Sequence, residues 1–156
     1  MRFVSVFALI TCALAGPALA GQISEKVDRF KGTKTVSWES FKDPGRGYSL
    51  NVYAHFAKSN NPKPFGYYAL LVPPPGTASF TDCHQNDWLI DGAPAPELAS
   101  AYRASGNSQM FRVELGRSTL EKIASAKSVE VKICNTEAEI SGADIAGVRQ
   151  LLHATE

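Results

Sequence analysis

Asp82-Cys83-His84 sets a carboxylate, a thiol and an imidazole side by side, with Asp87 and Asp91 following closely. A thiolate is a nucleophile, and a nearby imidazole is the side chain best placed to take its proton near neutral pH. Neighbours along a strand point to opposite faces, however, so adjacency alone does not make a nucleophile–base pair. Carboxylates and an imidazole can also hold a divalent metal. Here the spacing fits no calcium loop, and zinc calls for a second histidine. No metal or other cofactor is therefore expected, and this stretch reads as a solvated loop beside a disulfide. His55 is the second imidazole to consider. It falls on the polar side of an alternating segment with Asn51 and Tyr53, which makes either a groove lining or a wetted sheet face.

A third feature is the crowding of aromatic residues: Phe65, Tyr67 and Tyr68, with Trp88 further along. Tyr and Trp combine a large contact area with a polar tip and are enriched at interfaces. Core packing uses the same residues, but Pro62, Pro64 and Phe65 sit in a loop that is hard to bury. The candidate partner-binding residues are Phe65, Tyr67, Tyr68, Trp88 and His84, with loops 58–66 and 73–87 as the expected contact surface. Glu39, Asp43, Glu97 and Glu114 are the carboxylates available for acid–base work, and no spacing pairs them. Nucleophile-elbow, zinc-helix and phosphate-loop motifs are missing, and Gly45-x-Gly47 is a turn.

The elements that must carry these residues follow from periodicity. Ile23, Val27 and Phe30 have near-helical spacing, which predicts a short helix. Thr33–Phe41 reads as a strand, followed by the turn Asp43-Pro44-Gly45-Arg46-Gly47. Tyr48–Ala57 is the clearest strand, with Tyr48, Leu50, Val52, Ala54 and Phe56 facing one way. Tyr67–Val72 is continuously apolar, as in a strand buried on both faces. Trp88–Ile90 precedes the turn pair Asp91-Gly92. A short helix is predicted within Pro94–Ala104, and a strand over Gln109–Leu115. Ser118-Thr119-Leu120-Glu121 matches a capping box at the start of a helix. Lys127–Cys134 then forms a strand with Val129, Val131 and Ile133 inward, Thr136–Ile140 pairs with it, and Ser141 caps a final helix.

The first twenty residues match an export signal: a positive start at Arg2, the apolar run Phe3–Leu14, the breaker Gly16-Pro17, and the small residues of Ala18-Leu19-Ala20. The apolar run is short for about 30 Å of hydrocarbon, so cleavage after Ala20 is expected rather than anchoring. Lipid attachment through Cys12 would need a small residue where Thr11 stands. Cleavage turns 156 residues into 136 and removes Arg2, so 16 Lys+Arg become fifteen against 15 Asp+Glu. A neutral chain offers no basic excess for nucleic acid. With no cationic amphipathic helix in the sequence, attachment to anionic lipid is not expected either. No further long apolar segment follows in the mature chain. Cys12 leaves with the signal, and Cys83 and Cys134, bound for an oxidising compartment, are expected to pair.

The run Leu120-x-x-Ile123-Ala124-x-Ala126, the strand Val129-x-Val131-x-Ile133 and the closing helix ending Leu151-Leu152 resemble a pattern of small exported bacterial envelope proteins of unknown function. That resemblance covers the C-terminal half. It implies an α+β domain and an envelope setting, and it brings no catalytic residues. The expected fold is a single α+β domain over 21–156: a mainly antiparallel sheet of about six strands, two C-terminal helices packed on it, and one disulfide. The expected function is an exported, periplasmic or extracellular binding module for a protein or envelope component. The alternative is a small secreted hydrolase or thiol enzyme using His84 or His55.

Overall fold

The computed structural model describes residues 21–41, 48–73, 85–99, 102–105 and 110–156. The fold is α+β. Its strands divide between two antiparallel sheets, where the sequence predicted one. Strands β1 (Gly21–Asp28), β2 (Thr33–Ser40), β3 (Ser49–Phe56), β4 (Gly66–Val72), β7 (Tyr102–Ser105) and β8 (Met110–Leu115) form the larger sheet, in the order β1-β2-β3-β4-β8-β7. The smaller sheet runs β10-β9-β5-β6, from β5 (Asn86–Ile90), β6 (Ala93–Pro94), β9 (Val129–Ile133) and β10 (Thr136–Glu139). Three helices join them among the described residues: α1 (Pro96–Ala99), α2 (Arg117–Ser125) and α3 (Gly142–Ala154).

The segment expected to be a helix at Ile23–Phe30 is instead β1 and the turn after it, paired from Gly21 opposite Ser40 to Asp28 opposite Thr33. An interval of four satisfies both one helical turn and two strand repeats, so Ile23 and Val27 share a face either way. The turn decides the matter. The Asp28 carboxylate accepts hydrogen bonds from the Phe30 and Lys31 amides at 2.9 and 3.1 Å. Gly32 has φ of 67° and donates to the Asp28 carbonyl. A left-handed residue at this point costs glycine little and reverses the chain into β2.

Alternation in β3 is as expected: Leu50, Val52, Ala54 and Phe56 are buried, and the residues between them are half-buried. β4 departs from expectation. Tyr67, Ala69 and Leu71 are buried while Tyr68 and Leu70 are only partly so. A helical layer covers just one face of this antiparallel sheet, which leaves the other wet. The inner face meets α3, which packs across β1, β2 and β3. Trp38 is the centre of that joint. A Cβ on Gly147 of α3, or on Gly21 of β1, would run into its indole ring. Asp144, almost fully buried, accepts from Trp38 Nε1 at 3.2 Å and from the Leu50 amide at 3.3 Å. Its own amide donates to Ser141 Oγ at 3.0 Å, the N-cap predicted for this helix. The carboxylate thus sits in the first turn, where the helix dipole favours it, and ties that turn to two strands.

Helix α2 packs on α3 and buries Leu120, Ile123 and Ala124, the three residues expected. Its capping box does not form. The helix starts at Arg117 with Gly116 as N-cap, so Ser118 lies two residues too far in. Glu121 takes Arg117 Nε at 2.9 Å instead. In β9, Val129, Val131 and Ile133 are buried and Glu130 and Lys132 are exposed, as predicted. Asp91-Gly92 makes the tight turn from β5 to β6, with both residues at positive φ.

Candidate functional site

The outer face of the larger sheet brings together residues from four strands that lie far apart in sequence. The register sets Ser37 opposite Tyr53, Tyr53 opposite Tyr68, and Tyr68 opposite Glu114. One row away, Thr35 lies opposite His55. Cross-strand neighbours on one face are close enough for their side chains to interact. The Tyr53 and Tyr68 rings stack with centroids 4.7 Å apart and planes 14° apart. His55 stacks on Tyr68 at 5.1 Å, and Phe65 tilts against His55 at 6.2 Å. The Arg112 guanidinium lies 3.8 Å from the Tyr68 centroid, a cation–π contact, and its Nε donates to Glu114 at 2.7 Å.

Polar groups border this stack. Ser24 and Ser37 share a hydrogen bond of 2.9 Å, and Ser37 donates to Glu39 at 3.2 Å. Asn51 Oδ1 accepts the Ser40 amide at 2.8 Å. His55 Nδ1 meets the Thr35 hydroxyl at 3.1 Å. Burial, with Arg112 nearby, lowers the His55 pKa and favours the neutral ring. Burial likewise raises the Tyr53 and Tyr68 pKa values, with the Glu39 charge adding to the effect on Tyr53. The result is a pre-ordered surface of aromatic edges, hydroxyls and one guanidinium. Phe65, 72% exposed, stands at its border.

The sequence candidates separate in space. Phe65 and Tyr68 join His55 on this face. Tyr67 points to the opposite face, is buried, and accepts from Arg117 Nη1 at 3.4 Å. There it borders a cavity of about 410 Å³ lined by Lys63, Pro64, Arg117, Thr155 and Glu156. Trp88 is in the core of the smaller sheet, donating to Asn86 Oδ1 at 2.8 Å. His84, Cys83, Asp82 and most of loop 73–87 lie outside the described residues, as does Asp43. Cys134 is the only cysteine within them. Asp91 has a structural role: its carboxylate accepts the Lys127 and Ser128 amides at 2.7 and 3.0 Å, which lowers its pKa. Glu97 is bound by Lys122 at 3.1 Å. Among the described residues, no three His, Cys, Asp or Glu side chains gather as a metal site.

Arg112 and Thr35 were not singled out in the sequence. The usable signal was register: pairing the Tyr48–Ala57 strand with its neighbours sets Tyr53 beside Tyr68. The outer face of the smaller sheet is different in kind. Asp87, Leu89, Glu130, Lys132, Glu137 and Glu139 line a shallow groove of about 490 Å³ there. Lys132 and Glu137 pair at 3.0 Å across it. Comparison of the chain with family models, curated proteins and solved structures finds no match.

Proposed function

We propose that the protein is an exported binding module whose contact surface is the outer face of the larger sheet around Tyr53, His55, Phe65 and Tyr68. The carrying observation is Phe65, largely open to solvent beside an ordered aromatic stack. Half-buried Tyr and Arg side chains fixed by their neighbours lose little entropy on binding, the property that interface anchors share. The partner is a protein or an envelope component.

Export rests on the sequence of residues 1–20. In support, the residue after the expected cleavage site, Gly21, already pairs with Ser40 and packs on Trp38. The Cys83–Cys134 bridge belongs to the same reading. The Cys134 amide donates to the Gln85 carbonyl at 3.0 Å, so the chain two residues from Cys83 lies against Cys134. Two residues span at most about 7 Å, close to the Cα separations that disulfides tolerate. The enzyme reading has less support, because His55 Nδ1 meets a hydroxyl rather than an orienting carboxylate.

The test is recovery of a defined partner from envelope extract. Tyr53→Ala with Phe65→Ala should reduce it at least about tenfold, since interface anchors cost upward of 2 kcal/mol when truncated. Leu89→Ala on the other sheet should leave recovery unchanged. Equal loss from both variants, with both folded, refutes the assignment.

A further inference from the structure

The β1–β2 turn and the β3–β4 loop are distant in sequence and meet at one end of the larger sheet. Lys34 lies opposite Phe56, and the Ser59 amide donates to the Gly32 carbonyl at 2.7 Å. This places Lys26, Arg29, Lys31, Lys34 and Lys58 near one another, against the carboxylates of Glu25 and Asp28, while Lys63 of the same loop lines a cavity with Glu156. Lys34 pairs with Glu25 at 3.6 Å. Asp28 is engaged by the turn amides. Lys26, Arg29, Lys31 and Lys58 have no carboxylate partner among the described residues. The same end carries three apolar side chains in water: Phe30 with its whole surface open, Phe65, and Val27 at 48%.

We infer that this end docks on the surface of an anionic phospholipid bilayer, with Phe30 entering the headgroup boundary and the surrounding cations meeting lipid phosphates. Charge complementarity supplies the first argument, because four cations with no carboxylate partner among the described residues lie at one tip of a chain whose total charge is close to zero. Shape supplies the second. Phe30 projects from the turn between Arg29 and Lys31, held there by Asp28, and none of the described residues covers it. A bilayer interface offers an apolar boundary beneath a layer of phosphates, and it needs no matching pocket. The sequence excluded this binding by looking for a cationic helix. Two loops joined by the fold provide the charge instead. The inference does not depend on the contact surface proposed above, though Phe65 borders both.

The test is co-sedimentation of the purified protein with vesicles of phosphatidylcholine alone, or with about one-third phosphatidylglycerol, at low and physiological salt. Binding is expected on the anionic vesicles, at least about tenfold weaker on the neutral ones, and weaker as salt rises. Phe30→Ser should weaken it about tenfold, and Arg29→Glu with Lys31→Glu by more. Phe30 is fully exposed, so the first variant keeps the fold, which circular dichroism checks. Tyr53→Ala should retain vesicle binding, which separates this result from loss of the partner surface. Any of four outcomes overturns the inference: no sedimentation with anionic vesicles; equal binding to both vesicle types; binding untouched by Phe30→Ser; or equal competition by a soluble polyphosphate in both wild type and Phe30→Ser. Self-association without lipid that Phe30→Ser abolishes would also overturn it, by assigning the tip to a second copy.

Discussion

The two sheets leave their outer faces open in contrasting ways. On the larger sheet, Tyr53, His55 and Tyr68 stack on one another and are capped by Arg112. On the smaller sheet, the equivalent positions are Asp87, Glu130, Lys132, Glu137 and Glu139, with one cross-strand pair. Both faces alternate correctly against a buried inner face, so both satisfy the demands of folding. A sheet needs only polar outward residues to remain soluble, and the smaller one uses charged side chains. Half-buried rings on a wet face exceed that need. The excess over what folding requires is the ground for proposing the larger face as a contact surface.

Substitutions sharpen this contrast, beginning with the inner joint on which the larger face depends. Gly147→Ala would drive a methyl group into Trp38 and lift α3 from the sheet. A loss of about 3 kcal/mol is expected in urea unfolding, with the aromatic face disordered as a consequence. A midpoint within error of wild type would contradict the packing described. Tyr68→Ala removes the centre of the stack and should cost about 1–2 kcal/mol, from ring contacts and the Arg112 interaction. Lys132→Ala on the smaller sheet, which breaks an exposed ion pair, should cost less than about 0.5 kcal/mol. Similar values for the two would erase the distinction between the faces.

A smaller effect is set by pH. The folded protein holds the His55 pKa below its ordinary value, so below about pH 6.5 the unfolded chain takes up the proton more readily. The stability linked to this group is therefore present above that pH and is lost as pH falls through the folded value. Thermal melting between pH 7 and 5 should show a decline that His55→Phe reduces. An equal decline in the variant would place the titration elsewhere.

The strands were legible wherever period two had no competitor. Tyr48 to Phe56 alternates without ambiguity, as do Val129, Val131 and Ile133. Ile23 and Val27 failed because an interval of four serves helix and strand alike, and the Asp28 turn was the deciding signal. The capping box at Ser118 failed because the N-cap is Gly116, two residues earlier. Sequence density also misled the site. Phe65, Tyr67, Tyr68 and Trp88 are near one another in the chain, yet neighbouring residues of a strand face opposite ways, which separates Tyr67 from Tyr68. Trp88 went to the second sheet's core, a division that composition does not reveal. His55 and Tyr53 were visible as the polar side of one strand. Their union with Tyr68 and Arg112 depends on register between three strands, which residue spacing within any one of them does not contain.

The central claim is that the larger outer face, and not the smaller, meets the partner. A photo-reactive amino acid placed singly at Tyr53, Phe65, Leu89 or His153 tests it in living cells. The account predicts one and the same covalent adduct from positions 53 and 65, and none from 89 or 153. Adducts from 89 alone, or equally from all four, would contradict it.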